Sequence, residues 1–383
     1  MKAIVHIGMP KCGSTSIQRW LDINAAALSS RGVGYDRLSL PGHYPSTAHE
    51  GIKICHSHRL GRLVESAFVR RVHGITDLSD QKRFVRTFEE FFGAHVRSRR
   101  EPVFIVSSEY IAAHTHTPAE VEALESWLAQ FFDATRYIFY VRRQEDWLAS
   151  AYSQDLKRGV TETLPQVVAQ SAVQDWHAKA ALWADTLGKD RVEIGLTERD
   201  ALRDGDLVAD FAARIGTDLE GLADAPRLNE SLSAAGAALL RVANERMNHF
   251  SSDGTRVDPR KLAVRQALER QTLDLPKVRL NAEQVRHVRE VNAASNERLR
   301  ARFFPDRDVL FPARPDPQAD EPALRAEDVA RAGLDLLLTL RAQGKGGRGR
   351  TAPKGARKGR AARRHRSSGG NGSGDAPPAA PPQ

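Results

Sequence analysis

The chain has 383 residues, of which 41% are hydrophobic, and a formal net charge of +9 at pH 7. A chain of this length and composition can bury a substantial core. Its two cysteines, Cys12 and Cys55, are too few for a disulfide framework or a cysteine metal site. No stretch approaches the roughly 20 apolar residues that cross a bilayer, and the first predicted strand begins without an apolar leader. We therefore expect a large soluble protein of the cytoplasm, without a transmembrane segment.

The first predicted elements are a strand, a tight loop and a helix within residues 4–20 (IVHIGMPKCGSTSIQRW). β-branched residues form a short buried strand that ends at Gly8 and Pro10, and polar residues from Ser14 onwards begin the helix. A helix N-terminus presents unpaired N–H groups and the positive end of the helix dipole, and Lys11 adds a full charge beside it. This pattern predicts a phosphate or sulfate site. Simple capping of the helix by a hydroxyl is the alternative.

The position of the lysine separates this loop from a Walker-type nucleotide loop. The Walker sequence G-x-x-x-x-G-K-[ST] places its lysine after the second glycine and follows it with a magnesium-binding hydroxyl. In this chain Lys11 precedes Gly13. That order argues against a GTPase or a P-loop kinase, although a kinase-like phosphotransferase stays the alternative among enzymes.

Strands and helices alternate after this first motif. We predict strands within residues 31–38, 102–111, 137–141 and 192–195, and helices within residues 78–99 and 118–132. The chain from about residue 205 to residue 340 is mostly helical. Alternation of this kind indicates an α/β fold with a central parallel sheet flanked by helices, whose ligands bind at the carboxyl ends of the strands.

The segment PKCGSTS, residues 10–16, resembles the 5′-phosphosulfate loop of sulfotransferases that use 3′-phosphoadenosine 5′-phosphosulfate (PAPS), which reads approximately P-K-x-G-[ST]-[ST]. That family places a second motif further along the chain, where a strand ends in Arg and a Ser follows about eight positions later. The segment RYIFYVRRQEDWLASAYSQDLKRG supplies both residues, as Arg142 and Ser150. Arg143 beside them either shares the phosphate or pairs with an acidic neighbour. The resemblance implies a PAPS-dependent sulfotransferase with a P-loop NTPase-like α/β fold.

The resemblance also implies the roles of the residues in both motifs. Lys11 stabilises the departing adenosine 3′,5′-bisphosphate, and Arg142 and Ser150 hold the 3′-phosphate. No metal is required, because protein cations neutralise the charge that develops on the leaving group. The implied donor-binding set is Lys11, Cys12, Gly13, Ser14, Thr15, Ser16, Arg142 and Ser150.

Two residues are candidates for the general base that takes the proton of the acceptor. Glu109 follows the third predicted strand, and His49, with His43 before it, follows the second. Both sites lie near the carboxyl end of a strand, where the ligand is expected. A surface histidine or an ion-paired glutamate is the alternative interpretation of each.

The C-terminal part of the domain departs from the sulfotransferase pattern. The chain lacks the R-K-G segment that cytosolic small-molecule sulfotransferases use to cover the adenosine, so the residues that recognise adenine are unassigned. We therefore expect a carbohydrate or glycolipid hydroxyl as acceptor rather than a steroid or a phenol. Asn229 and Ser231, before a predicted helix, either cap that helix or close over the 3′-phosphate.

The positive charge of the chain lies in its C-terminal tail. Residues 342–383 contain three Lys and seven Arg against one Asp, a net +9, whereas residues 1–341 contain 47 basic and 47 acidic residues. We predict a sulfotransferase domain over residues 1–341, with an α/β core to residue 200 and a helical completion, followed by a disordered Gly/Arg/Lys/Pro-rich tail. The tail either contacts polyanions, an acidic membrane surface or an anionic glycan, or keeps the chain soluble. A polyanion-binding protein that acts through this tail is the alternative outside the enzymes.

Overall fold

The computed structural model describes residues 1–41, 49–225, 231–250, 257–317 and 325–346. Met1–Leu340 forms one compact unit, and of the residues after it only the part up to Gly346 is described. That part is helical, so a helix continues past the predicted domain boundary at residue 341. The rest of the basic tail lies outside the described residues, as do His43 and Asn229.

A five-stranded parallel sheet forms the centre of the fold, in the strand order β2-β3-β1-β4-β5. The strands are β1 (Lys2–His6), β2 (Val33–Gly34), β3 (Val103–Ser107), β4 (Ala134–Val141) and β5 (Val192–Leu196). Nearly all of their residues are buried, as is typical of a parallel sheet covered by helices. The predicted parallel α/β fold and its five strands are confirmed.

Helices flank the sheet and complete the C-terminal half. They are α1 (Ser14–Ile23), α2 (Ala25–Ser30), α3 (Glu50–Arg59), α4 (Ala67–Val72), α5 (Leu78–Ser98), α6 (Glu109–Ala113), α7 (Pro118–Leu128), α8 (Gln144–Lys157), α9 (Leu164–Ser171), α10 (Trp176–Leu187), α11 (Leu207–Arg214), α12 (Ala234–Arg246), α13 (Pro259–Gln271), α14 (Ala282–Phe303) and α15 (Ala326–Gly346). The long predicted helix is confirmed as α5, which buries Phe84, Phe88 and Phe92 against the core. None of the helices in the described part of the chain is long and apolar enough to cross a membrane.

The connections of the sheet place its ligand-binding edge beside β1. From β1 the chain first builds β2 and β3 on one side, and it then crosses to β4 and β5 on the other side. Ligands of open α/β sheets bind outside the carboxyl ends of the strands where the strand order reverses in this way. The loop after β1 and the segments after β3 and β4 meet at this edge.

Helix α8 joins the sheet to the helical C-terminal half. One part of its surface packs with α12 and α13, through Tyr152 and Leu156. Another part packs with α9 and α14 through Leu148. Because two faces are held by apolar contacts, the remaining face of α8 keeps a fixed orientation towards the carboxyl edge of the sheet.

Candidate functional site

The loop between β1 and α1 is shaped by residues with positive φ angles. Gly8, Lys11 and Gly13 have φ angles of 41°, 64° and 93°. A Cβ atom at Gly13 would lie 2.1 Å from Cδ2 of Leu207 on α11, and one at Gly8 would lie 3.2 Å from the Cα of Glu109. Glycine is therefore favoured at both positions, because it permits the conformation and the close approach to α6 and α11.

The N-terminus of α1 has no side-chain cap. Gly13 is the N-cap residue, and its carbonyl accepts from the N–H groups of Ser16 (3.0 Å) and Ile17 (3.2 Å). The hydroxyl of Ser14 donates instead to the carbonyl of Met9, at 3.3 Å. The capping alternative does not hold for this helix, and Ser14, Thr15 and Ser16 of its first turn line the cavity described next.

The two predicted phosphate motifs contact each other directly. Arg142 Nη1 donates to the carbonyl of Lys11 at 3.2 Å, and Trp147 Nε1 donates to the carbonyl of Pro10 at 2.9 Å. Lys11 Nζ donates to Oε1 of Gln154 at 3.0 Å. The loop after β1 is thus fixed against α8 by backbone and side-chain hydrogen bonds.

A cavity of about 570 Å³ lies at this junction. Its wall includes most of the predicted site residues, namely Lys11, Gly13, Ser14, Thr15, Ser16, Glu109, Arg142 and Ser150. Cys12 does not line this cavity. Its side chain is buried, and burial raises the pKa of the thiol to about 12. Only the backbone of Cys12 is therefore suited to contact an anion here.

His49 does not reach this cavity. Its side chain is buried, with Nδ1 accepting from the N–H of Ser107 at 3.1 Å and Nε2 donating to the carbonyl of Asp36 at 2.7 Å. Burial lowers the pKa of His49 to about 3, so the ring is neutral. Both nitrogens are occupied by backbone groups, which leaves neither available to an acceptor hydroxyl.

Two carboxylates among the described residues line the cavity. Glu109, the first residue of α6, was expected from the sequence, whereas Asp155 on α8 was missed. Burial raises the pKa of Asp155, while the charges of Arg158 and Lys11 act in the opposite direction. A carboxylate with a raised pKa in a cleft is typical of a functional site.

The sequence did contain a signal for Asp155 and its neighbours on α8. The residues of α8 and its C-cap that line the cavity are Trp147, Ser150, Ala151, Gln154, Asp155 and Arg158. Their spacing of three or four residues is that of one helix face. Extending the motif beyond Ser150 along this face would have found the three polar residues that follow it.

Arg143 has a structural role that differs from the role of Arg142. Its guanidinium is buried and pairs with Glu198 at 3.0 Å, and a second carboxylate, Glu145, lies 3.8 Å away. It also donates to the carbonyl of Pro312 at 2.6 Å. Of the two possibilities left open for Arg143, pairing with acidic groups is the one observed.

Two further cavities adjoin the first. A cavity of about 610 Å³ shares Lys11, Gly13 and Arg142 with it and continues to the segment 197–200 after β5. A smaller one, of about 350 Å³, lies beyond Arg142 and Ser150. Both share lining residues with the first cavity at the carboxyl edge of the sheet.

The smaller cavity contains basic residues that were not expected from the sequence. Lys277 and Arg279 line it together with Ser231, and Ser231 also lines the first cavity. The helix that follows is capped by Ser233, whose hydroxyl accepts from the N–H of Gly236 at 2.9 Å. Ser231 is therefore not the cap, and it lies beside the predicted 3′-phosphate residues.

Comparisons with known proteins give limited similarity. No protein-family profile matches the chain. An uncharacterized protein of Archaeoglobus fulgidus is 24% identical over 124 residues, which cover 32% of this chain and 34% of that protein. The match thus spans about a third of the length of this curated relative. A crystal structure of a sulfotransferase from Alicyclobacillus acidocaldarius is 16% identical, covers 59% of this chain and 85% of its own, and has a TM-score of 0.36. Similarity at this level does not establish a shared function, so the chemistry is inferred from the site.

Proposed function

We propose that the chain transfers a sulfuryl group from PAPS to a hydroxyl group of an acceptor, a carbohydrate or a glycolipid. The observation that carries this proposal is that the Lys11 loop and the Arg142–Ser150 pair line one cavity. Arg142 and the backbone of Lys11 are 3.2 Å apart, which supports a single ligand that contacts both motifs. A ligand with a single phosphate would need only one of the two motifs.

The residues around the junction fit the parts of such a donor. The N–H groups at the start of α1 and the ammonium of Lys11 suit the phosphosulfate. Arg142 and Ser150 suit the 3′-phosphate, and Lys277 and Arg279 add positive charge to the same region. The cavity that continues to residues 197–200 offers room for the nucleoside.

In the proposed reaction the acceptor oxygen forms a bond to sulfur while the bond between sulfur and the 5′-phosphate oxygen breaks. The electron pair of that bond stays on the leaving adenosine 3′,5′-bisphosphate, where Lys11 stabilises it. The protein mainly aligns the reacting groups and stabilises charge, as in phosphoryl transfer. The proton of the acceptor hydroxyl passes to a carboxylate of the cavity, Glu109 or Asp155, a step that contributes about 10²–10⁴ in rate.

Binding of adenosine 3′,5′-bisphosphate tests the proposal directly. We expect a Kd in the nanomolar to micromolar range by isothermal titration and no comparable binding of ATP with magnesium. Lys11→Ala and Arg142→Ala each remove a charge-assisted contact, which predicts binding about 10- to 100-fold weaker. Lys82→Ala and Arg86→Ala on the exposed surface of α5 remove the same charge and should have no effect. Preferential binding of ATP with magnesium would favour the kinase-like alternative.

Removal of the basic tail separates the enzyme from a polyanion-binding protein. A chain that ends at residue 346 keeps every cavity residue named above. It should therefore bind the bisphosphate as tightly as the full chain. If the protein acts through its tail, this truncation abolishes function, whereas Lys11→Ala leaves function intact.

A further inference from the structure

We propose that the acceptor is an acidic saccharide, whose carboxylate or sulfate is bound by Arg19 and Arg158, two arginines that line the first cavity. This assignment rests on the proposed function. It concerns two cavity residues outside the predicted donor-binding set, and it gives them an anion-binding role that the sequence did not indicate.

Arg19 is a cation without a partner in the described structure. It lies on α1, lines the cavity and is half-buried, yet it makes no hydrogen bond or ion pair with any described residue. Two other arginines at this edge are neutralised: Arg143 pairs with Glu198, and Arg289 pairs with Glu145 at 2.9 Å. A charged group that is partly removed from water is stabilised by an opposite charge, so a ligand is the expected partner of Arg19.

Arg158 lies beyond the part of α8 assigned to the donor. Ser150, Gln154 and Arg158 follow one another at intervals of one helical turn, and Gln154 holds Lys11. With a rise of 1.5 Å per residue, Arg158 lies about 12 Å beyond Ser150 and about 6 Å beyond Gln154 along the helix axis. A donor bound between Ser150 and Lys11 therefore leaves Arg158 on the acceptor side.

The side chain of Arg158 is available to a ligand. It is 60% exposed, and among the described residues its ion pair is with Asp155, at 3.6 Å. An exposed pair at this distance contributes little to stability. Arg158 can therefore exchange it for a carboxylate or a sulfate of the acceptor, which also releases Asp155 towards the acceptor hydroxyl.

A buried lysine adds positive charge near Arg158. Lys53 on α3 lies behind Tyr110, a cavity residue, with Nζ 4.9 Å from the centre of the ring. Its Nζ is buried and makes no hydrogen bond to the described residues. Burial lowers the pKa of Lys53 to about 8; the charges of Glu65 and Glu50 oppose this shift, and the charge of Arg158 adds to it, so the two cations are close enough to repel each other. An anion bound at Arg158 relieves this repulsion.

Titration of oligosaccharides into the full chain, saturated with adenosine 3′,5′-bisphosphate, tests the assignment. The probes are hyaluronan tetrasaccharide, which carries carboxylates, chondroitin 4-sulfate tetrasaccharide, which also carries sulfates, and neutral chitotetraose. We expect an acidic probe to bind and chitotetraose to bind at least tenfold more weakly. In Arg19→Gln/Arg158→Gln the affinity for the acidic probe should fall at least tenfold, because two charge-assisted contacts are lost. Arg86→Gln/Arg260→Gln removes the same charge from exposed positions and should bind as the wild type does.

Each other result overturns the assignment in a distinguishable way. If the wild type does not bind the bisphosphate, the proposed function fails and the acceptor assignment fails with it. If the bisphosphate binds but the neutral probe binds as tightly as the acidic probes, or if no probe binds, only the acceptor assignment fails. If the Arg19/Arg158 double variant binds the bisphosphate at least tenfold more weakly, these two arginines bind the donor and not the acceptor.

Discussion

Replacing Gly13 with alanine tests how closely the anion-binding loop is held against α11. Gly13 has a φ angle of 93°, and a Cβ atom there would lie 2.1 Å from Cδ2 of Leu207. The left-handed conformation costs an L-residue about 1–2 kcal/mol. The overlap adds about 1–3 kcal/mol, because the end of the Leu207 side chain must move and lose part of its packing against the core. The expected loss in the free energy of unfolding is therefore about 2–5 kcal/mol.

Two control variants separate the contributions to this loss. Gly61 also has a positive φ angle, of 69°, but a Cβ atom there would meet nothing within 4 Å. Gly61→Ala should therefore show the conformational cost alone, about 1–2 kcal/mol. Adding Leu207→Ala to Gly13→Ala removes the overlap, so the double variant should be more stable than the sum of the two single changes by about 1–3 kcal/mol.

Urea denaturation followed by tryptophan fluorescence gives the free energy of unfolding of each variant. Binding of adenosine 3′,5′-bisphosphate, measured below the unfolding transition, should weaken in Gly13→Ala because the first turn of α1 is displaced. The interpretation is refuted if Gly13→Ala destabilises the protein no more than Gly61→Ala. Strict additivity with Leu207→Ala would likewise show that the two residues are not in contact.

Three further changes test other parts of the site. His6 and His49 are buried, and burial lowers the pKa of each to about 3. The free energy of unfolding, measured by urea titrations at several pH values, should therefore fall as the pH drops from 6.5 towards 3, by up to about 1.4 kcal/mol per pH unit for each histidine. A free energy of unfolding that stays constant over this range would contradict the burial of the two histidines. Replacing the general base with its neutral amide should lower kcat about 10²–10⁴-fold, so kcat of Glu109→Gln and of Asp155→Asn is compared in a sulfuryl-transfer assay. Equally small effects of the two changes would exclude both residues as the general base. Trp147→Phe removes the hydrogen bond to the carbonyl of Pro10, which should lower the free energy of unfolding by about 1 kcal/mol and weaken bisphosphate binding. Unchanged binding would show that the loop does not need this hydrogen bond.

The strands were predictable because short runs of consecutive residues encode them. Runs of β-branched and aromatic residues, such as the one in β4, form strands buried on both sides, and they stand out in the sequence. Helix α3 was not predicted, because almost all of its residues are buried, including Lys53 and Glu50. A helix that is covered on every side lacks the alternation of apolar and polar faces on which recognition depends.

The site was predictable where its residues are consecutive and not where packing brings them together. The loop from Pro10 to Ser16 carries its own motif, so its position at the sheet edge follows from β1 alone. Lys277 and Arg279 join Arg142 only because α12 and α14 pack against α8, which no local pattern encodes. His49 was placed near the ligand because it follows β2, but its ring turns into the core and bonds to the backbone of β3.

The adjacent arginines 142 and 143 show how one strand end can serve both structure and binding. Arg143 is buried, and its pairing with Glu198 links the end of β4 to the segment after β5. A buried pair of this kind stabilises little by itself, but loss of one partner costs about 3–5 kcal/mol, since the other charge stays buried. The pair therefore fixes the direction in which β4 ends. Arg142, the preceding residue, is also fixed, because its carbonyl accepts a hydrogen bond from Trp176 Nε1 at 2.9 Å and it lies at the cavity wall. Arg142 can therefore bind an anion without first being ordered.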